Sequence, residues 1–122
     1  MVTLLAIGAD SVWLRTVLEW AENQGSEVAR CGALCDAFET FAGTTGLPSL
    51  VLVDADCCDD RSGPAFRALR ARLLGVPFIV VYAPASERVA RTLPSDAVVA
   101  KDAVVELVSA RLGGCGSPRR KE

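Results

Sequence analysis

The chain predicts an α/β fold, a parallel sheet covered by helices on both faces, and three observations predict it. Short apolar runs of strand length recur along the sequence, each followed by a stretch whose apolar residues fall at helical spacing. Two of the runs, "SLVLVDA" (49–55) and "VPFIVVYA" (76–83), are apolar throughout, as strands buried on both faces are. The connections are short, with no linker or internal repeat before Gly113.

The elements follow in order. Residues 3–9 ("TLLAIGA") read as the first strand. Residues 11–25 switch period: Leu14, Val17, Leu18 and Ala21 share one face, with Ser11 as N-cap and Gly25 as the stop. "SEVARCG" (26–32) is a partly polar strand suited to an edge, and "ALCDAFETFAG" (33–43) is helical. After the third strand (49–55), residues 64–75 form a helix with Pro64 in its first turn and Phe66, Leu69 and Leu73 facing inward. The fourth strand (76–83) leads to two helical turns (86–93), a short strand "DAVVAK" (96–101) and a last helix (103–114) with Val104, Leu107, Val108 and Leu112 on its core face. Five strands alternating with five helices imply right-handed crossovers and parallel pairing. In this length they fit a flavodoxin-like (βα)5 three-layer sandwich with strand order 2-1-3-4-5. One domain is expected over residues 1–113, followed by a flexible basic tail at 114–122.

Composition excludes several function classes. A net charge of −2 leaves no electrostatic footprint for nucleic acid or a membrane surface. No apolar run approaches the roughly 18–20 residues of a membrane span. Asp10 interrupts the apolar start, and no basic segment precedes it, so no signal peptide is expected and the cytoplasm is the predicted location. The chain has no histidine, which removes Ser-His and Cys-His catalysis, His-ligated zinc and phosphohistidine transfer together. Its 5 cysteines, an odd number, read as reduced thiols rather than a disulfide framework.

In doubly wound sheets, chemistry sits beyond the carboxyl ends of the strands. That directs attention to Gly8–Ser11, Cys31, Asp54–Asp60, Tyr82–Ser86 and Lys101–Asp102. A carboxylate near a lysine and further acids is suited to phosphoryl chemistry, in which the carboxylate attacks phosphorus and cations screen the incoming charge. At these residues the sequence resembles the receiver domain of bacterial two-component response regulators. The resemblance spans about residues 3–112 and rests chiefly on "LPSLVLVD", "GVPFIVVYA" and "AVVAKD". It implies that Asp54 stands at the phospho-acceptor position and Lys101 at the lysine that contacts the product. Asp102 stands where the family usually has proline.

Several positions depart from that pattern. The two metal-binding acids closing strand 1 correspond to Gly8 and Ala9, and only the next residue, Asp10, is acidic. The small hydroxyl residue closing strand 4 corresponds to Tyr82, and the aromatic switch of strand 5 to Val98. A magnesium ion, if one binds, would draw on Asp10, Asp54 and Asp56; otherwise no cofactor is expected. The expected function is thus a stand-alone, atypical receiver that is not an enzyme. It would act by protein–protein contact, through the helix 4–strand 5–helix 5 face or helix 1, with its phosphoryl switch degenerate. The expected partner is a protein, a histidine kinase or a downstream effector, with homodimerisation open and neither nucleic acid nor membrane involved. The alternative is a functional single-domain regulator phosphorylated on Asp54 through an irregular metal site.

Plainer readings accompany these. Asp54 can terminate a strand and cap the following turn, and Asp59 and Asp60 are suited to a solvated turn. Cys31, Cys35, Cys57 and Cys58 approach one sheet edge, but C-x3-C…C-C is no established ligand spacing. Trp13 and Trp20, seven residues apart on helix 1, read as packing.

Overall fold

A computed structural model describes residues 3–42 and 47–112; the tail at 114–122 and Cys115 lie outside them. Five parallel strands, β1 (Thr3–Ile7), β2 (Glu27–Cys31), β3 (Leu50–Asp54), β4 (Phe78–Tyr82) and β5 (Ala97–Ala100), form one sheet in the order β2-β1-β3-β4-β5. The helices are α1 (Val12–Asn23), α2 (Ala37–Ala42), α3 (Gly63–Arg72), α4 (Glu87–Thr92) and α5 (Val104–Leu112). This is the flavodoxin-like three-layer order expected from the alternation of periods.

Two cores explain why both faces must be covered. On one face Leu5, Ile7, Val51, Val53 and Val80 pack with Leu34, Ala37, Phe66, Leu69 and Ala90 from the side of α2, α3 and α4. On the other, Leu4, Ala6, Leu50, Leu52, Ile79 and Val81 pack with Trp13, Leu14, Val17 and Ala21 of α1 and Val104 and Val108 of α5. Strands β1 and β3 are buried along their whole length, as their unbroken apolar runs require. The edge strands β2 and β5 are half-buried. Among the described residues, no helix is long and apolar enough to cross a membrane.

Helix ends follow local chemistry. Ser11 is the N-cap of α1 by backbone conformation, but its side chain makes no capping bond, and its Oγ is buried without a partner. Ser11→Ala is therefore expected to change stability by less than the ~1 kcal/mol typical of a lost cap, as read from a urea midpoint. Gly25 ends α1 with a φ of 84°. Gly25→Ala is expected to cost about 1–2 kcal/mol, since a Cβ strains the left-handed conformation, although nothing crowds the position. Thermal denaturation measures it.

Candidate functional site

The carboxyl edge of the sheet brings together the ends of β1, β3, β4 and β5. Register fixes the geometry: Ile7 pairs with Val53, Asp54 with Val81, and Tyr82 with Ala100. Asp54 is thus the last residue of the central strand, 3% exposed, with its carboxylate facing the loops that follow its neighbours. A carboxylate so buried needs donors on both oxygens.

It has them. Oδ1 accepts the backbone N–H of Asp56 at 2.9 Å, which caps the short 3-10 turn Ala55–Cys57. Oδ2 accepts the indole N–H of Trp13 at 3.2 Å, a bond between buried groups. The Lys101 ammonium, carried in by the end of β5, lies 3.9 Å from Oδ2. Asp54 is therefore the strand-ending cap, with Lys101 at the outer limit of an ion pair.

Lys101 is shared. Its Nζ is 2.5 Å from Asp56 Oδ2, far closer than to Asp54, so the direct ion pair is with Asp56. The Lys101 hydrogen bond, helped by the Ser86 hydroxyl, holds the Asp56 carboxyl below its ordinary range. Burial works against charge on Lys101, but the Asp56 hydrogen bond and the two carboxylates outweigh it and raise its pKa. The folded-state pKa of Asp56 is depressed, so its contribution to stability is intact above the ordinary carboxylate value near ~3.9 and is lost as pH falls below it. Lys101 is raised, so its share is intact below about 10.4 and is lost only at higher pH. A urea midpoint measured against pH is expected to be flat in this pair between those limits and to drop on the acid side, less steeply in Asp56→Asn. With the Asp56 side chain 44% exposed, the effect is small.

The remaining edge residues are engaged elsewhere. Asp10 is matched by Arg15 at 3.1 Å and Arg30 at 3.7 Å, with its side chain well exposed. The structure thus assembles Asp54, Asp56 and Lys101, and turns Asp10 toward arginines. No group of three His, Cys, Asp or Glu side chains spaced to hold a metal ion occurs among the described residues. Gly8 lies against Asp54 so tightly that a Cβ built on it would come 2.7 Å from the Asp54 Cβ. Tyr82 lies under the Arg91 guanidinium, 5.8 Å from its ring centroid, and its ring and Val98 pack against the core. Ser86, buried, accepts the Ala83 N–H and donates to the Ala83 carbonyl.

The four described cysteines are free thiols. Cys57 Sγ accepts the Ala9 N–H at 3.3 Å, and burial pushes its pKa up. Burial likewise raises Cys58 to about 11, and its S–H donates to the Asp54 carbonyl at 3.8 Å. Thiols held protonated in this way are poor nucleophiles and poor ligands. Asp59 accepts the Arg61 N–H and its own N–H bonds to Ser62 Oγ, while Asp60 meets Arg88 in an exposed pair. Asp59 serves the turn, and Asp60 ties it loosely to α4.

Trp13 is the site residue that pattern reading passes over. Spacing assigns it to packing, and it is buried, yet its N–H reaches across 41 residues of sequence to Asp54. The available signal is chemical: a buried indole needs an acceptor, and a tryptophan in the first turn after β1 has the end of β3 beside it.

No family model matches the chain, and no curated protein matches it either. Solved structures do. A receiver domain protein from Clostridium thermocellum superposes with a TM-score of 0.72 at 14% identity, covering 93% of each chain. A CheY-like receiver domain protein from Methanospirillum hungatei gives 0.67 at 15% identity, covering 93% of this chain and 95% of that one. A Burkholderia pseudomallei response regulator, solved with a phosphorylated aspartic acid, calcium ion and citrate, gives 0.69 at 22% identity over 92% of this chain and 66% of its own. With this strand order and these neighbours, the chain has the fold of the response-regulator receiver domains.

Proposed function

We propose that the chain is an atypical receiver module in two-component-type signalling, a cytoplasmic binding domain rather than an enzyme. Its phosphoryl switch is degenerate, and it works through contact with a protein partner, a histidine kinase or a downstream effector. The observation that carries this is the internal closure of the Asp54 site. The carboxylate at the phospho-acceptor position is hydrogen-bonded by Trp13 and by the Asp56 N–H, with Lys101 drawn onto Asp56. Attack through Oδ2 would compete with the indole N–H, and the lysine that would meet the product already holds an anion. The rest of the relay is missing in kind. Tyr82 is a ring under Arg91 rather than a small hydroxyl, and Val98 has no ring to rotate. The fold face formed by α4, β5 and α5 remains for contact, with β5 half-buried at the sheet edge.

The test is incubation with acetyl phosphate and magnesium, followed by intact-mass measurement. No acid-labile phosphoryl gain is expected. A gain that disappears in Asp54→Asn would show a working regulator and overturn the proposal.

A further inference from the structure

The geometry points to a metal-free carboxylate site, in which the Trp13 indole N–H and the Lys101 ammonium occupy the place of a divalent cation at Asp54. This deepens the proposal above and rests on it. Each oxygen of the carboxylate already accepts a hydrogen bond: Asp56 N–H on Oδ1 and Trp13 N–H on Oδ2, with Lys101 3.9 Å from the same Oδ2. One N–H on each oxygen takes two of the roughly four lone-pair sites of the carboxylate, and the nearby ammonium adds positive charge on the side of Oδ2, so a cation would have to compete with both.

Among the described residues, no group of three His, Cys, Asp or Glu side chains is spaced to hold a metal ion, and the acids nearest Asp54 are already paired. Magnesium takes about six oxygens near ~2.0–2.1 Å and calcium takes more. The end of β1 supplies Gly8 and Ala9, which have no side-chain oxygen. The Ala9 N–H points to Cys57 Sγ, adding a further donor and a soft atom at the rim. Asp10 is matched by Arg15 and Arg30, and Asp56 by Lys101. A Cβ added at Gly8 would come 2.7 Å from the Asp54 Cβ, so the strand ends as they stand leave no room for a ligand-bearing side chain at that position. Trp13 is thereby a positioning residue: it ties the charge on Asp54 to the first turn of α1.

The experiment uses the Trp20→Phe variant, which leaves Trp13 the single tryptophan of a chain that has 2. Manganese(II) is added to about 10 mM, above the dissociation constants of weak extracellular calcium sites, while paramagnetic quenching of Trp13 and the EPR signal of free manganese are recorded. The expected result is free manganese throughout and no saturable quenching, with Trp13 emission shifted by Asp54→Asn in the absence of metal. Saturable binding that weakens at least tenfold in Asp54→Asn overturns the inference, as does Trp13 emission indifferent to Asp54→Asn. If Trp20→Phe does not fold, the EPR titration of the unaltered protein decides the metal question alone. Metal uptake without a phosphoryl gain overturns this inference and leaves the proposed function standing; a phosphoryl gain overturns the proposed function and, with it, this inference.

Discussion

Trp13→Ala is expected to lower the free energy of unfolding by about 3–5 kcal/mol, the range for emptying a large aromatic site in a core. The side chain is 8% exposed and belongs to the cluster that α1 and α5 form against the sheet. Trp13→Phe divides the effect. The phenyl ring keeps most of the apolar contact but removes the N–H, leaving Asp54 Oδ2 with only the distant Lys101. An unsatisfied buried acceptor costs about 1–3 kcal/mol, more when charged, so Trp13→Phe is expected in that range. Pairing it with Asp54→Asn in a double-mutant cycle isolates the bond itself, with a coupling of about 0.5–3 kcal/mol. Urea denaturation of the four proteins supplies the numbers. A coupling near zero would mean that the indole merely packs beside Asp54, and both the closed-site reading and the metal-free inference would lose their support.

The fold was legible because its determinants are local and periodic. Leu14, Val17, Leu18 and Ala21 announce the buried face of α1, and all four are buried. The unbroken run of β3 announces a strand covered on both sides, and the polar residues of β2 announce an edge. Even the stop at Gly25 could be read from residue type, because the left-handed turn it makes is one that glycine adopts freely. Placement of Asp54 at the sheet edge followed from the same alternation.

The site was legible only as a set of positions, because its partners are chosen in three dimensions. Position suggests that Lys101 should serve Asp54; the turn after β3 instead puts Asp56 at 2.5 Å from its ammonium, and the nearer carboxylate wins. Asp10 is one residue too late on the loop to follow Gly8 and Ala9 inward, and two arginines from α1 and β2 meet it there. Trp13 shows the limit most clearly. Helical spacing reports which face is buried but not what a polar atom on that face touches.

Gly8→Asp, which places a carboxylate at the strand end where receivers carry a metal-binding acid, is expected to destabilise the chain rather than to restore chemistry. Two costs add. The first is steric: the new Cβ would meet the Asp54 Cβ at 2.7 Å, and neither atom can swing away, because both are fixed to the backbone. Gly8 is anchored by its N–H to the Cys31 carbonyl at 2.8 Å, and Asp54 by its register with β4. Overpacking of this kind costs about 1–3 kcal/mol, and Gly8→Ala is expected to show it alone. The second is electrostatic: a second carboxylate beside one already buried at the lip of the sheet must lose its charge or force the strand ends apart. Gly8→Asp is therefore expected to fall below Gly8→Ala in urea midpoint, and the double variant with Asp54→Asn to recover toward Gly8→Ala. Magnesium is the discriminating addition. If about 10 mM magnesium, ample for a weak divalent site, returns Gly8→Asp to the stability of the unaltered chain, the β1 and β3 ends can part and admit a cation. The closure of this site would then depend on the missing acid alone. If magnesium changes nothing, the glycine, the indole and the lysine together hold the edge shut.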